Sequence, residues 1–322
     1  MSSDVLLKVE NLKVYYFSLK GVVRAVDDVS FELRRGEVLG LAGESGCGKS
    51  TLGYALIRLV PPPGRIVGGR ILFDGIDLLT LPEHKLRKEI RWKRISMVFQ
   101  GAMNALNPVR TVGDQIAEAI MAHENVTKKE ALQRAAELLK LVGIDPRRVN
   151  SYPHEFSGGM KQRVVIAMAL ALKPDLVIAD EPTTALDVVV QAQIINLLKK
   201  LKNEYNMSLI LISHDLSLIA EMADKLAVMY AGKIVEYGPS DILYESPAHP
   251  YTQGLLKSIP RLRGPKKLEW IPGQPPDLRS PPPGCRFSPR CPYATERCRR
   301  EEPPRVEISP GHYVACWLYA RR

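Results

Sequence analysis

Long hydrophobic runs are missing from this 322-residue chain. The longest apolar stretch, Val164–Leu172, has nine residues and is followed by Lys173-Pro174. A membrane span needs roughly 18 such residues. The opening Met1-Ser2-Ser3-Asp4 has neither the basic flank nor the apolar stretch of a secretion signal. A self-inserting membrane protein and a secreted protein are both disfavoured. Cysteine is also scarce. Five residues are too few for a disulfide scaffold of this size, and four of them crowd into the last 38 positions.

The composition is that of a globular chain, 45% hydrophobic and 25% charged. The length corresponds to about two domains. The net charge of +10 is unevenly spread. Residues 263–322 carry twelve Lys/Arg against six Asp/Glu, and twelve of the 25 prolines. That shift predicts a compact part over 1–262 and a Pro-rich, basic extension over 263–322. The basic excess is compatible with nucleic acid, an anionic membrane surface or simply a solvated face.

Val5–Val9, Asp28–Leu33 and Ile71–Phe73 read as short strands between turn signals. Val38–Ala42 is a continuous apolar strand, as are Leu176–Ala179 and Leu209–Ile212. Helical spacing marks Leu52–Leu59, stopped by Pro61-Pro62-Pro63, and also Val188–Leu201. Lys128–Val142 is amphipathic, with Leu132, Ala135, Leu138, Leu139 and Val142 on one face and Gly143 closing it. Buried strands alternating with helices predict an α/β fold around a mostly parallel sheet covered on both faces.

Gly43-Glu44-Ser45-Gly46-Cys47-Gly48-Lys49-Ser50, followed by Thr51, matches the G-x-x-x-x-G-K-[ST] phosphate-binding loop. The glycines let backbone N–H groups turn toward phosphate oxygens, Lys49 reaches the outer phosphates, and the Ser50 hydroxyl suits Mg²⁺. The loop leaves a buried strand and opens a helix, the context this chemistry requires. Leu176–Ala179 then runs into Asp180-Glu181, where a first carboxylate helps hold Mg²⁺ and a second polarises water.

Between these elements lies Phe156-Ser157-Gly158-Gly159-Met160-Lys161-Gln162-Arg163. It resembles the Leu-Ser-Gly-Gly-Gln signature of ATP-binding cassette (ABC) ATPases, differing at Phe156 and Met160. Over about residues 5–262 other motifs resemble the family in order. Gln100, after the strand Ile95–Phe99, matches the Q-loop glutamine, Asp187 in Ala185-Leu186-Asp187 the D-loop, and His214 the H-loop histidine. Tyr16 stands where the family stacks adenine, with Tyr15 and Phe17 as alternatives. The resemblance implies a P-loop NTPase fold of the ABC type, with a parallel-sheet core, an antiparallel β subdomain and a helical signature subdomain. It also implies a head-to-tail pair of cassettes, each ATP lying between one P-loop and the other chain's signature. Lys49 and Mg²⁺, the latter held by Ser50, Gln100 and Asp180, would neutralise phosphate charge. Glu181 would orient or deprotonate water, and His214 would contact the γ-phosphate. Ser157, Gly158 and Gly159, at the start of the Gly159–Leu172 helix, are expected to meet a γ-phosphate.

No coiled coil separates the motifs and there is one P-loop, so a transporter subunit is favoured over a soluble ABC protein acting on nucleic acid. His249-Pro250-Tyr251-Thr252, Ile271-Pro272-Gly273, Cys285-Arg286-Phe287-Ser288-Pro289-Arg290-Cys291-Pro292 and Cys298 resemble the tail of oligopeptide/dipeptide-type importer ATPases. The resemblance implies a peripheral subunit on the cytoplasmic side of the cell membrane. Its partners would be a second ABC ATPase subunit (identical or different), two transmembrane permeases and an extracytoplasmic solute-binding protein. Peptide is the expected cargo, with oligosaccharide and nickel as alternatives. Cys285, Cys291, Cys298 and Cys316 are separated by five, six and seventeen residues, a spacing that leaves metal binding and incidental thiols both open. The family resemblance implies a [4Fe–4S] cluster, with zinc as the alternative. Cys47 fills a variable loop position and is assigned no ligand role.

Overall fold

The computed structural model describes residues 4–101, 104–258 and 270–320. The expected boundary near residue 262 falls outside them. The chain divides into two compact units, residues 1–79 with 211–322, and residues 80–210.

The first unit begins with an antiparallel sheet of β1 (Val5–Ser18), β2 (Gly21–Arg34), β4 (Gly64–Phe73) and β5 (Ile76–Asp77), in the order β2-β1-β4-β5. The three short strands expected here are the buried middles and ends of longer, register-shifted ones. β3 (Val38–Ala42) is buried at every position, and α1 (Lys49–Leu56) follows the loop it enters. β3 pairs in parallel with β9 (Lys225–Tyr230), and β10 (Lys233–Pro239) adds antiparallel to β9. Gly40 is what lets a helix close on β3. A Cβ there would lie 2.2 Å from Ile219 Cγ2 of α7 (Leu216–Ala220).

The C-terminal residues are built into this same unit. α8 (Ser240–Glu245) and α9 (Pro250–Lys257) follow β10, and α10 (Glu296–Arg300) precedes the hairpin β11 (Arg305–Ser309) and β12 (His312–Ala315). β12 pairs antiparallel with β10, through Glu236↔Val314 and Tyr237↔Tyr313. Glu236 is wholly buried, and its carboxylate accepts the Ala248 and His249 N–H groups and bonds His312 Nε2 at 2.8 Å. Three polar partners explain how a carboxylate can sit inside the core at that point.

The second unit holds a short α2 (Glu83–Lys85) that runs into a π-helical turn over Leu86–Ile90. β6 (Ile95–Val98) pairs in parallel with β7 (Leu176–Asp180). A helical module lies between them in sequence: α3 (Val112–Met121), α4 (Lys128–Leu141) and α5 (Gly158–Ala169). α6 (Val188–Tyr205) leads to β8 (Ser208–Ile212), within which the chain passes back to the first unit. α4 starts on a reciprocal capping box between Thr127 and Glu130 and buries Ala131, Ala135 and Leu139, while Leu132 and Leu138 are half-buried. Among the described residues, no helix is long and apolar enough to cross a membrane.

Candidate nucleotide site

The phosphate-binding loop is bent by glycines where the backbone turns left-handed. Gly43, Gly46 and Gly48 have φ of +150°, +77° and +107°. At Gly43 a Cβ would strike the Met229 carbonyl at 2.1 Å, and at Gly48 the Ala25 carbonyl at 2.0 Å, so no other residue fits either place. Lys49 is buried. Its ammonium donates to the Gly43 carbonyl (2.7 Å) and the Glu44 carbonyl (3.0 Å) and lies 3.8 Å from Cys47 Sγ. It is thus folded back over its own loop. Burial pushes the Cys47 thiol above its ordinary pKa, so it stays protonated there.

Of the three aromatic candidates, Tyr16 places its hydroxyl 3.3 Å from Thr51 Oγ1. Tyr15 donates instead to Asp27 (2.6 Å), and Phe17 is exposed beneath the Arg65 guanidinium. His214 follows β8, where the Ser213 N–H donates to Leu41 O, and it is exposed.

The second unit carries the remaining motif residues. Asp180, at the end of β7, is fully buried. Glu181 has φ +47°, a strained conformation for a non-glycine residue. Its Oε2 accepts from Thr184 Oγ1 (2.8 Å) and Gln100 Nε2 (3.2 Å), so the Q-loop residue and the catalytic candidate meet directly. Asp187 caps α6 through the Val190 N–H (2.9 Å). Ser157 caps α5, accepting from Met160 N–H at 3.4 Å, and a Cβ at Gly159 would lie 2.6 Å from Val190 Cγ1, so a side chain there would force Val190 to shift. The two departures from the common signature share one neighbour. Arg148 stacks on the Phe156 ring at 4.4 Å and reaches the Met160 sulfur at 3.7 Å.

All four C-terminal cysteines are free and line one cavity of about 250 Å³, together with His249. Burial pushes the Cys285 thiol up to about 11, and the neighbouring cysteines add to the rise. Burial likewise raises Cys291 and Cys316. Among the described residues, no three His, Cys, Asp or Glu side chains stand in an arrangement that could hold a metal ion.

Two arginines of this segment, part of the stretch that carries the tail resemblance, receive no role from the sequence. Arg286 forms a buried ion pair with Asp27 and donates to Ala231 O. Arg290 grips the Glu44 carboxylate from the phosphate loop. In sequence they look like solvated charges in a Pro-rich tail. Their one distinguishing mark is that each adjoins a cysteine.

The family profile described as "ABC transporter" matches residues 26–184, and that described as "Oligopeptide/dipeptide transporter, C-terminal region" matches 235–298. The oligopeptide transport ATP-binding protein OppD of Bacillus subtilis is 50% identical over 97% of this chain and 88% of its own. The dipeptide transport ATP-binding protein DppD of the same organism is 50% identical over 99% and 96%. The chain belongs to the oligopeptide/dipeptide family of ABC transporter ATP-binding proteins. This ABC protein is an ATPase coupled to transport, and its fold is that of the ABC cassettes. An ATP-binding cassette solved as a dimer in a post-hydrolysis state, bound to ADP and Pi, superposes with a TM-score of 0.63. It has 29% identity and covers 73% of this chain and 98% of that one.

Proposed function

We propose that the chain powers peptide import as a peripheral subunit on the cytoplasmic face of the cell membrane. In this reading it works in a pair of cassettes beneath two permeases fed by an extracytoplasmic solute-binding protein. Near-complete coverage by peptide-transport relatives, reaching through the C-terminal region, carries the reading. Residues 1–262 would hydrolyse ATP and residues 263–322 form the extension. Lys49 neutralises phosphate charge, Ser50, Gln100 and Asp180 serve Mg²⁺, Glu181 acts on water and His214 on the γ-phosphate. Tyr16 supports adenine, and Ser157–Gly159 and Asp187 serve the partner cassette's nucleotide.

The cysteine cavity supports the [4Fe–4S] reading over zinc. Zinc gathers its thiolates around one atom at about 2.3 Å. Here the four thiols line one cavity of about 250 Å³, room for a group larger than a single ion. His249 adds an orphaned polar atom. Its Nδ1 accepts the Tyr251 N–H (3.0 Å), which places the proton of the neutral ring on Nε2, and buried Nε2 has no hydrogen-bond partner among the described residues. A sulfur-rich group would accept that bond. Cys285, Cys291, Cys298 and Cys316 would hold the cluster, whose role is to order a proline-rich segment.

Gentle solubilisation of native membranes and capture of this chain tests the assignment. Two polytopic permeases and a second cassette should come with it. Recovery only from the soluble fraction, with repair or ribosomal proteins, would overturn the importer reading.

A further inference from the structure

Glu44 is an unexpected residue for an anion site. It lies inside the loop whose N–H groups are aimed at phosphate, and a free carboxylate there would repel the ligand and compete for Lys49. The structure shows it held on two sides. Its backbone N–H donates to the Tyr251 hydroxyl at 2.9 Å. Its carboxylate takes both arms of Arg290, Nη1 at 2.7 Å and Nη2 at 3.0 Å. Arg290 is itself fixed: its side chain is 5% exposed, and Nε donates to Pro272 O at 2.8 Å. Tyr251 is fully buried and packs against Tyr230 and Phe287, with ring centroids 4.5 and 5.4 Å apart. Lys49 meanwhile bonds the Glu44 carbonyl.

We propose that Arg290 is a positioning residue of the nucleotide site: it neutralises Glu44 and keeps its carboxylate off Lys49, so that ATP affinity depends on the segment beside the cysteines. The two-pronged geometry requires arginine. A lysine supplies the charge as a point and not the fork. The inference rests on the reading that residues 43–51 hold the nucleotide phosphates.

The test measures binding of a fluorescent ATP analogue with Mg²⁺, and ATPase KM and kcat, on the purified full chain. Arg290→Gln should weaken binding and raise KM by roughly tenfold or more, with a much smaller change in kcat. Arg290→Lys should fall between it and wild type, and serves if the glutamine variant does not fold. Glu44→Gln alone should lose less than Arg290→Gln, and the double variant should recover most of the affinity, because no charge is then left unpaired. A brace that merely stabilised the fold would not be rescued in this way. A double variant as weak as Arg290→Gln, or arginine variants that bind as wild type, would overturn the proposal. Lys49→Ala separates the underlying reading: undiminished ATP binding by that variant would sink the nucleotide assignment and this inference with it.

Discussion

Glu181 and Asp27 show how differently two carboxylates can be legible. Glu181 follows an apolar strand that ends in two acids, and phosphate chemistry at that place demands both, so the sequence exposes it. What the sequence hides is its left-handed backbone and its bonds to Thr184 and Gln100. Glu181→Gln should abolish turnover, a loss on the order of 10²–10⁴-fold, while ATP binding survives. Single-turnover assays beside equilibrium binding check it, and near-normal hydrolysis would reject the role. Asp27 carries no motif at all, because its partner lies 259 positions away. Burial works against its charge, but the Tyr15 hydrogen bond and the Arg286 charge outweigh that and hold its carboxyl below the ordinary value of 3.8. A depressed carboxyl pKa stabilises the fold above the unfolded value and loses that contribution as pH falls through the folded one. Asp27→Asn leaves Arg286 buried without its counter-charge and should cost about 3–5 kcal/mol at neutral pH. Urea melts of both proteins should show the gap shrinking below about pH 4; a gap independent of pH would mean that the charge is not what matters.

Helices and strands were legible where one physical cause dominates. β3 is apolar at every position and matches its expected bounds, and α4 announces itself by periodicity and a closing glycine, while its capping box is a finding of the structure. The sequence marks only part of the β1–β2 pair, because the remainder is partly exposed and its register shifts break strict alternation. Strands β9 to β12 are not among the strands the sequence marks. Their antiparallel pairing depends on partners up to the C-terminus, and short apolar runs do not reveal partners. α3 offers a test of tertiary fit against propensity. Alanine at Gly113 should help the isolated helix by about 1 kcal/mol. In the fold its Cβ would lie 2.3 Å from Val149 Cγ2 and 2.4 Å from the Val149 carbonyl, which cannot rotate aside. Overpacking of this kind costs about 1–3 kcal/mol, so Gly113→Ala should destabilise on balance. A thermal melt that rises on substitution would show that the 3₁₀ turn over Pro146–Asn150 yields instead.

At the scale of the whole molecule, composition suggests an appendage and the contacts describe a structural member. Proline and arginine mark residues 263–322 as different, yet their described part shares a compact unit with residues 1–79. β12 covers the edge of β10, His312 completes the shell of buried Glu236, Phe287 seals Tyr230 and Tyr251, and Arg286 and Arg290 neutralise Asp27 and Glu44. A chain ended at Ser258 would strip all of these at once, leaving a strand edge open and two acids without their counter-charges. Native stability is only about 5–15 kcal/mol, and breaking one buried pair removes a large part of it. The shortened chain should therefore melt more than about 10 °C below the full one, or fail to accumulate in soluble form. If it melts within a few degrees and hydrolyses ATP normally, the extension is a separable module after all. The cysteine cavity gives the same comparison a second readout. Anaerobically purified full chain should be brown, with about four irons per chain. Ser replacement of any one of the four cysteines should bleach it and move its melting point toward that of the truncated protein. Colourless protein with stoichiometric zinc would instead reject the cluster, while leaving the arginine contacts to account for the extension's hold on the ATPase.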